Sequence, residues 1–72
     1  MRFGVGDYIF QPSTGKYFTV EQLKTHMGLR FLLRSLEAGN PGTPKTAEFL
    51  DLQIQDGHLV RMTPREFRRA TR

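Results

Sequence analysis

The run Phe18-Thr19-Val20-Glu21-Gln22-Leu23-Lys24-Thr25-His26-Met27-Gly28-Leu29-Arg30-Phe31-Leu32-Leu33-Arg34-Ser35-Leu36 carries the decisive reading of this chain. Thr19 and Gln22 have the spacing of a capping box, in which the hydroxyl bonds one free amide and the glutamine reaches back to another. Val20, Leu23 and Met27 then fall on one helical face. Beyond Gly28, the residues Leu29, Leu32, Leu33 and Leu36 recur at i, i+3, i+4 and i+7, the stripe of an amphipathic helix. Carried through Gly28 as one helix, the two stripes point in nearly opposite directions, and both sides would need burial. Two short helices broken at Gly28 satisfy the pattern more simply, because glycine accepts the left-handed turn between them.

Working outward, Phe3-Gly4-Val5-Gly6-Asp7-Tyr8-Ile9-Phe10 is rich in strand formers and ends at Gln11-Pro12-Ser13-Thr14-Gly15. Proline followed by small polar residues and glycine reads as a turn, with Tyr17-Phe18 returning, so an N-terminal β-hairpin is expected. On the other side the second helix ends at Gly39, followed by the loop Asn40-Pro41-Gly42-Thr43-Pro44. Residues 48–62 read as a second hairpin around Asp56-Gly57. A three-residue loop, Gln55-Asp56-Gly57, pairs Leu52 with Val60, Leu50 with Met62 and Asp51 with Arg61, which sets apolar against apolar and charge against opposite charge. Thr63-Pro64-Arg65-Glu66 carries helix start signals, with Thr as N-cap, Pro at the first position and Glu at the third. Phe67 is the one large apolar anchor of that last helix, which is expected to fray after Ala70.

The expected fold class is therefore α+β. It is a small single domain with an N-terminal β-hairpin, two short helices broken at Gly28, a second β-hairpin and a short basic C-terminal helix. Residues 1–62 form the compact unit and residues 63–72 the basic helix or arm.

Composition narrows the function. The chain has 72 residues and no cysteine, which excludes disulfides, thiolate zinc sites and thiol catalysis. No apolar run approaches the roughly 20 residues that cross a bilayer, so a cytoplasmic protein without a membrane partner is expected. The net charge of +4 is unevenly placed. Residues 1–56 carry six Lys and Arg against six Asp and Glu, whereas residues 57–72 carry Arg61, Arg65, Arg68, Arg69 and Arg72 against Glu66 alone. The whole excess is arginine, the side chain that forks two donors onto a phosphate and stays charged at any relevant pH. A basic segment of this kind reads either as a solubilising end or as an arm for nucleic acid or an acidic protein groove.

Candidates for chemistry are scarce. His26 and His58 are the only histidines, and neither has a second ligand at helical spacing. Ser13 and Ser35 lack an activating neighbour, and the carboxylates Asp7, Glu21, Glu37, Glu48, Asp51 and Asp56 are scattered rather than set apart as acid and base. Gly4 and Gly6 precede a strand rather than a helix, which speaks against a phosphate cradle. The expectation is a binding protein rather than an enzyme, with no catalytic residue, metal, cofactor or small-molecule substrate.

Resemblances add partners. Phe18 to Gly28 resembles the first helix and turn of excisionase-like and MerR-like winged helix-turn-helix domains, over residues 18–62. That resemblance implies a recognition helix after Gly28, a wing around Asp56-Gly57, and Arg30 and Arg34 aimed at base edges or phosphates. Val5-Gly6-Asp7-Tyr8-Ile9 resembles the opening strand of SH3-like small barrels. As a whole, the small, Cys-free, basic profile is similar to phage-encoded transcription regulators that dock on host RNA polymerase. What these resemblances imply is a host protein complex as partner, RNA polymerase first, with nucleic acid reached by Arg61, Arg65, Arg68, Arg69 and Arg72. The alternatives they leave open are a direct DNA binder and an anti-CRISPR-type inhibitor of another host complex. Five of the eight aromatic residues lie before residue 19. Most are expected in the core, with Phe3, Tyr17 and Phe31 as candidates for an exposed docking surface.

Overall fold

Residues 16–35 follow a period of two. In the computed structural model, which describes residues 2–37, 39 and 42–72, strand β1 runs Tyr8–Gln11, β2 Lys16–Thr25 and β3 Gly28–Ser35. β2 and β3 pair antiparallel from Phe18↔Ser35 to Thr25↔Gly28. Successive strand side chains go to opposite faces. Val20, Phe31, Leu33 and Ser35 share the inner face and are all buried, while Thr19, Glu21, Leu23, Arg30, Leu32 and Arg34 occupy the outer one.

The two helices expected about Gly28 are thus a hairpin. The leucine stripe misleads because it mixes faces and depths: Leu33 is buried, whereas Leu29 and Leu36 are about half exposed. Phe31, which lies off that stripe, is only 2% exposed. Gly28 does adopt a left-handed φ of +113°, but there it closes the strand turn at His26-Met27. The Thr25 hydroxyl holds this turn, donating to the Gly28 carbonyl at 2.9 Å and accepting from the Met27 N–H at 3.2 Å. Thr19 caps nothing; its hydroxyl donates to the Arg34 carbonyl across the ladder.

β1 pairs antiparallel with β2 from Tyr8↔Thr19 to Gln11↔Lys16. Strand β4, Thr43–Lys45, borders β3. Asn40 and Pro41 of the expected loop lie outside the described residues, and Thr43 and Pro44 belong to this strand.

The second expected hairpin is also corrected. Ala47–Gln55 is a helix, α1, whose N-cap Thr46 accepts the Phe49 N–H at 3.2 Å. Its inner face is Ala47, Leu50 and Ile54, with Leu50 fully buried, while Leu52 on the opposite face is about half exposed. Gly57, at φ +82°, ends it: the Gly57 N–H bonds the Ile54 carbonyl and the His58 N–H bonds that of Gln53, a Schellman closure. The left-handed glycine expected in a hairpin loop is therefore present, but it stops a helix. Strand β5, Val60–Met62, returns to β1 through Tyr8↔Met62, Ile9↔Arg61 and Phe10↔Val60. None of the expected pairs of residues 50–52 with 60–62 forms. Asp51 instead accepts the Arg2 N–H at 2.7 Å, and Arg61 turns to Asp7. The last element is helix α2, Pro64–Ala70.

The five strands form one sheet in the order β4-β3-β2-β1-β5, antiparallel at every pairing. The core lies between its inner face and α1 and consists of Phe3, Ile9, Val20, Phe31, Leu33, Leu50 and Leu59. Asp7 ties the N-terminal turn to the last strand. Its carboxylate accepts the Gly4 N–H at 2.8 Å and the Arg61 Nε–H at 2.8 Å, and the residue is 9% exposed. Replacing Asp7 with Ala is expected to cost about 2 kcal/mol, near the lower end for hydrogen bonds to a charged group because Arg61 stays half hydrated. Chemical denaturation of the two proteins measures it.

Candidate nucleic-acid interface

α2 is specified locally at both ends. The Glu66 N–H donates to the Thr63 hydroxyl at 3.2 Å, and the Glu66 carboxylate accepts the Thr63 N–H at 3.0 Å, so the expected capping box is formed. At the other end the Thr71 N–H and hydroxyl both donate to the Phe67 carbonyl. Phe67 fixes the helix to the outer face of the sheet. Its ring stacks on Tyr8 at 3.9 Å and 7° and meets Tyr17 edge-on at 5.4 Å. Tyr17 in turn packs on Phe10 at 4.8 Å. Aromatic pairs of this geometry add to simple area burial.

With Phe67 facing the sheet, Arg65 and Arg69 face away. Arg65 and Arg69 lie two residues on either side of it, about 200° round the helix. Arg65, Arg68 and Arg69 follow i, i+3 and i+4 spacing on the helix, Arg72 follows its C-cap Thr71, and all four are exposed. Among the described residues none of these four meets a carboxylate. Arg68 and Arg69 sit in the last turn, where the carbonyl end of the helix favours cations.

The remaining expected contacts divide differently. Arg34 Nε donates to Glu21 at 2.7 Å, Arg61 Nε donates to Asp7, and Arg30 folds one guanidinium nitrogen back onto the Leu29 carbonyl at 3.0 Å. The hydrogen bond to Asp7, and then its charge, hold the Arg61 guanidinium above its ordinary pKa. Three arginines of the expected set are thus engaged within the chain, and the other four meet no carboxylate among the described residues. Two of the candidate docking aromatics are core residues: Phe3 and Phe31 are 5% and 2% exposed and meet edge-to-face at 4.9 Å. A chain this small draws on its largest side chains for its core, which leaves neither ring at the surface. Tyr17 is half-buried in the Tyr8–Phe67 cluster. That cluster was hidden in the sequence by the separation of Tyr8 from Phe67; the visible trace is the placement of Tyr8 and Phe10 on either side of buried Ile9.

The recognition helix and wing implied by the helix-turn-helix resemblance fall on residues that form β3, α1 and β5. Among the described residues no group of three His, Asp or Glu is placed to hold a metal ion. No helix among them is long and apolar enough to cross a membrane. No family model, curated protein or solved structure matches the chain.

The capping box gives α2 a pH dependence. The Glu66 carboxyl is held below its ordinary range, first by the Thr63 backbone N–H and then by the Thr63 hydroxyl. A depressed carboxyl stabilises the folded state above its unfolded pKa of about 4.3, and that contribution is lost as pH falls through the lower folded value. Wild type is therefore expected to melt above Glu66→Gln at neutral pH, with the gap closing in acid. A gap that persists unchanged to about pH 2 contradicts this assignment.

Proposed function

We propose that this chain is a non-enzymatic binding protein that holds nucleic acid through the arginine face of α2. In this reading it serves as a small transcription regulator, its scaffold docking on a host complex of the transcription machinery, RNA polymerase first. The observation that carries the reading is the set of four exposed arginines without a carboxylate partner among the described residues: Arg65 and Arg69 opposite the ring that anchors the helix, Arg68 beside them, and Arg72 just past the helix end. Fixing the helix places the guanidinium groups before binding, so less ordering cost opposes contact. Arginine is also suited to forked contact with phosphate oxygens. Residues 1–56 are electrically neutral, and the one further cation before α2, Arg61, is paired with Asp7. A neutral scaffold with one short basic helix fits a protein brought to nucleic acid by docking better than one with a broad basic face.

Two measurements test the two parts. Fluorescence anisotropy with labelled duplex DNA and RNA at about 50 mM salt, where the phosphate contribution is strong, is expected to show binding that weakens steeply with salt. Absence of binding to either removes the nucleic-acid part. Tagged protein added to a nuclease-treated bacterial lysate is expected to retain RNA polymerase, and an eluate without it removes the docking part.

A further inference from the structure

β2 is ten residues long but is covered by β1 over only part of its length. The ladder with β1 spans Lys16–Thr19 and is extended by one step, where Val20 exchanges hydrogen bonds with Asp7 and Gly6. At Gly6, φ +93°, the chain turns away towards Phe3 in the core. From Glu21 to Thr25 the β1-side edge of β2 has no strand beside it among the described residues. Both backbone groups of Val20 point to that edge, so by alternation those of Gln22 and Lys24 do too. A bare edge of this kind is a template for another strand.

We propose that this edge pairs with the same edge of a second copy of the chain, antiparallel and centred on Leu23. The choice of a second copy follows from self-complementarity. Centring on Leu23 sets Leu23 against Leu23 of the other copy on the outer face, in a non-hydrogen-bonded pair with Cα atoms about 4.5 Å apart. On the inner face Gln22 and Lys24 exchange the hydrogen bonds of the free edge, and each Lys24 meets a glutamine rather than another cation. Glu21 falls opposite Thr25, so no like charges face each other directly. The pairing also brings the turn carrying Met27 in one copy to the turn carrying Val5 in the other. All three side chains are open to solvent, with Val5 58%, Leu23 36% and Met27 71% exposed. A second copy covers all three with one symmetric contact. The twofold axis stands perpendicular to the sheet, so both α2 helices lie on the same side of the dimer. The dimer would thus present both arginine faces together, but its formation requires no nucleic acid.

The absence of native cysteine makes the test direct. Under mild oxidation the Leu23→Cys protein is expected to form a disulfide-linked dimer, because Cα atoms at this spacing lie within disulfide reach. Gln22→Cys and Lys24→Cys, each alone, are expected to give at least tenfold less, since neither residue meets its own copy. Sedimentation of the native chain should show reversible dimerisation at about 100 µM, the weak range of a small interface. Leu23→Lys, which sets two ammonium groups face to face, should be monomeric with an unchanged far-ultraviolet circular dichroism spectrum. Efficient linking at Gln22→Cys or Lys24→Cys instead of Leu23→Cys overturns the register. A native chain that stays monomeric to about 1 mM, or a Leu23→Lys protein that still associates like the native chain, overturns the edge pairing.

Discussion

With Arg65, Arg68, Arg69 and Arg72 all replaced by Ala, affinity for duplex nucleic acid is expected to fall at least about a hundredfold near 100 mM salt. The four side chains are exposed and bond no carboxylate among the described residues, so the fold has little reason to change. Every arginine taken off a phosphate should also flatten the salt dependence, by about 3 to 4 in log–log slope for the full set. Arg34→Ala provides the contrast. It frees Glu21 at the surface, and because Arg34 is already held at 2.7 Å by that carboxylate, its removal should change affinity little. A quadruple variant that binds as tightly as wild type would reduce the arginine stripe to a solubility device.

The second large effect is on stability. Leu50→Ala is expected to cost about 2 to 5 kcal/mol, the range for emptying a fully buried leucine site. A chain of 72 residues has a total stability of only about 4 to 11 kcal/mol, so a substantial share is lost and the thermal transition should move down by tens of degrees or disappear. Leu52→Ala, two residues along, is expected to stay within about 0.5 kcal/mol because Leu52 faces solvent. In a strand, residues 50 and 52 would share a face and lose similar stability. The unequal pair therefore tests whether residues 47–55 are a helix, and urea unfolding of the two variants measures it.

How far the fold could be read from sequence is clearest at this segment and at residues 18–36. Leu50, Leu52 and Ile54 alternate as a strand would, yet Ala47, Leu50 and Ile54 also obey helical spacing. Local pattern does not separate the two; the cap at Thr46 and the left-handed stop at Gly57 do. At residues 29–36 the abundance of leucine imitates a helical stripe. The alternation of Phe31 and Leu33 with Arg30, Leu32 and Arg34 carries the strand signal, and pairing with β2 selects it. α2 was legible because its signals are local: a cap, a proline, a glutamate and one aromatic. The Tyr8–Phe67 stack that docks it joins residues 59 positions apart, and nothing nearby in sequence announces such a contact. Likewise the candidate arginines were visible as charge, but their division into Arg34 and Arg61, each on a carboxylate, and the C-terminal four, which meet none among the described residues, depends on Glu21 and Asp7 arriving from distant strands.

Whether α2 is the nucleic-acid contact is measured most directly by NMR of the arginine Nε–H groups during titration with a short duplex. Resonances of Arg65, Arg68, Arg69 and Arg72 are expected to shift together, while those of Arg34 and Arg61 stay with their carboxylates. Shifts confined to Arg30 and Arg34, with the α2 arginines unmoved, would contradict the account.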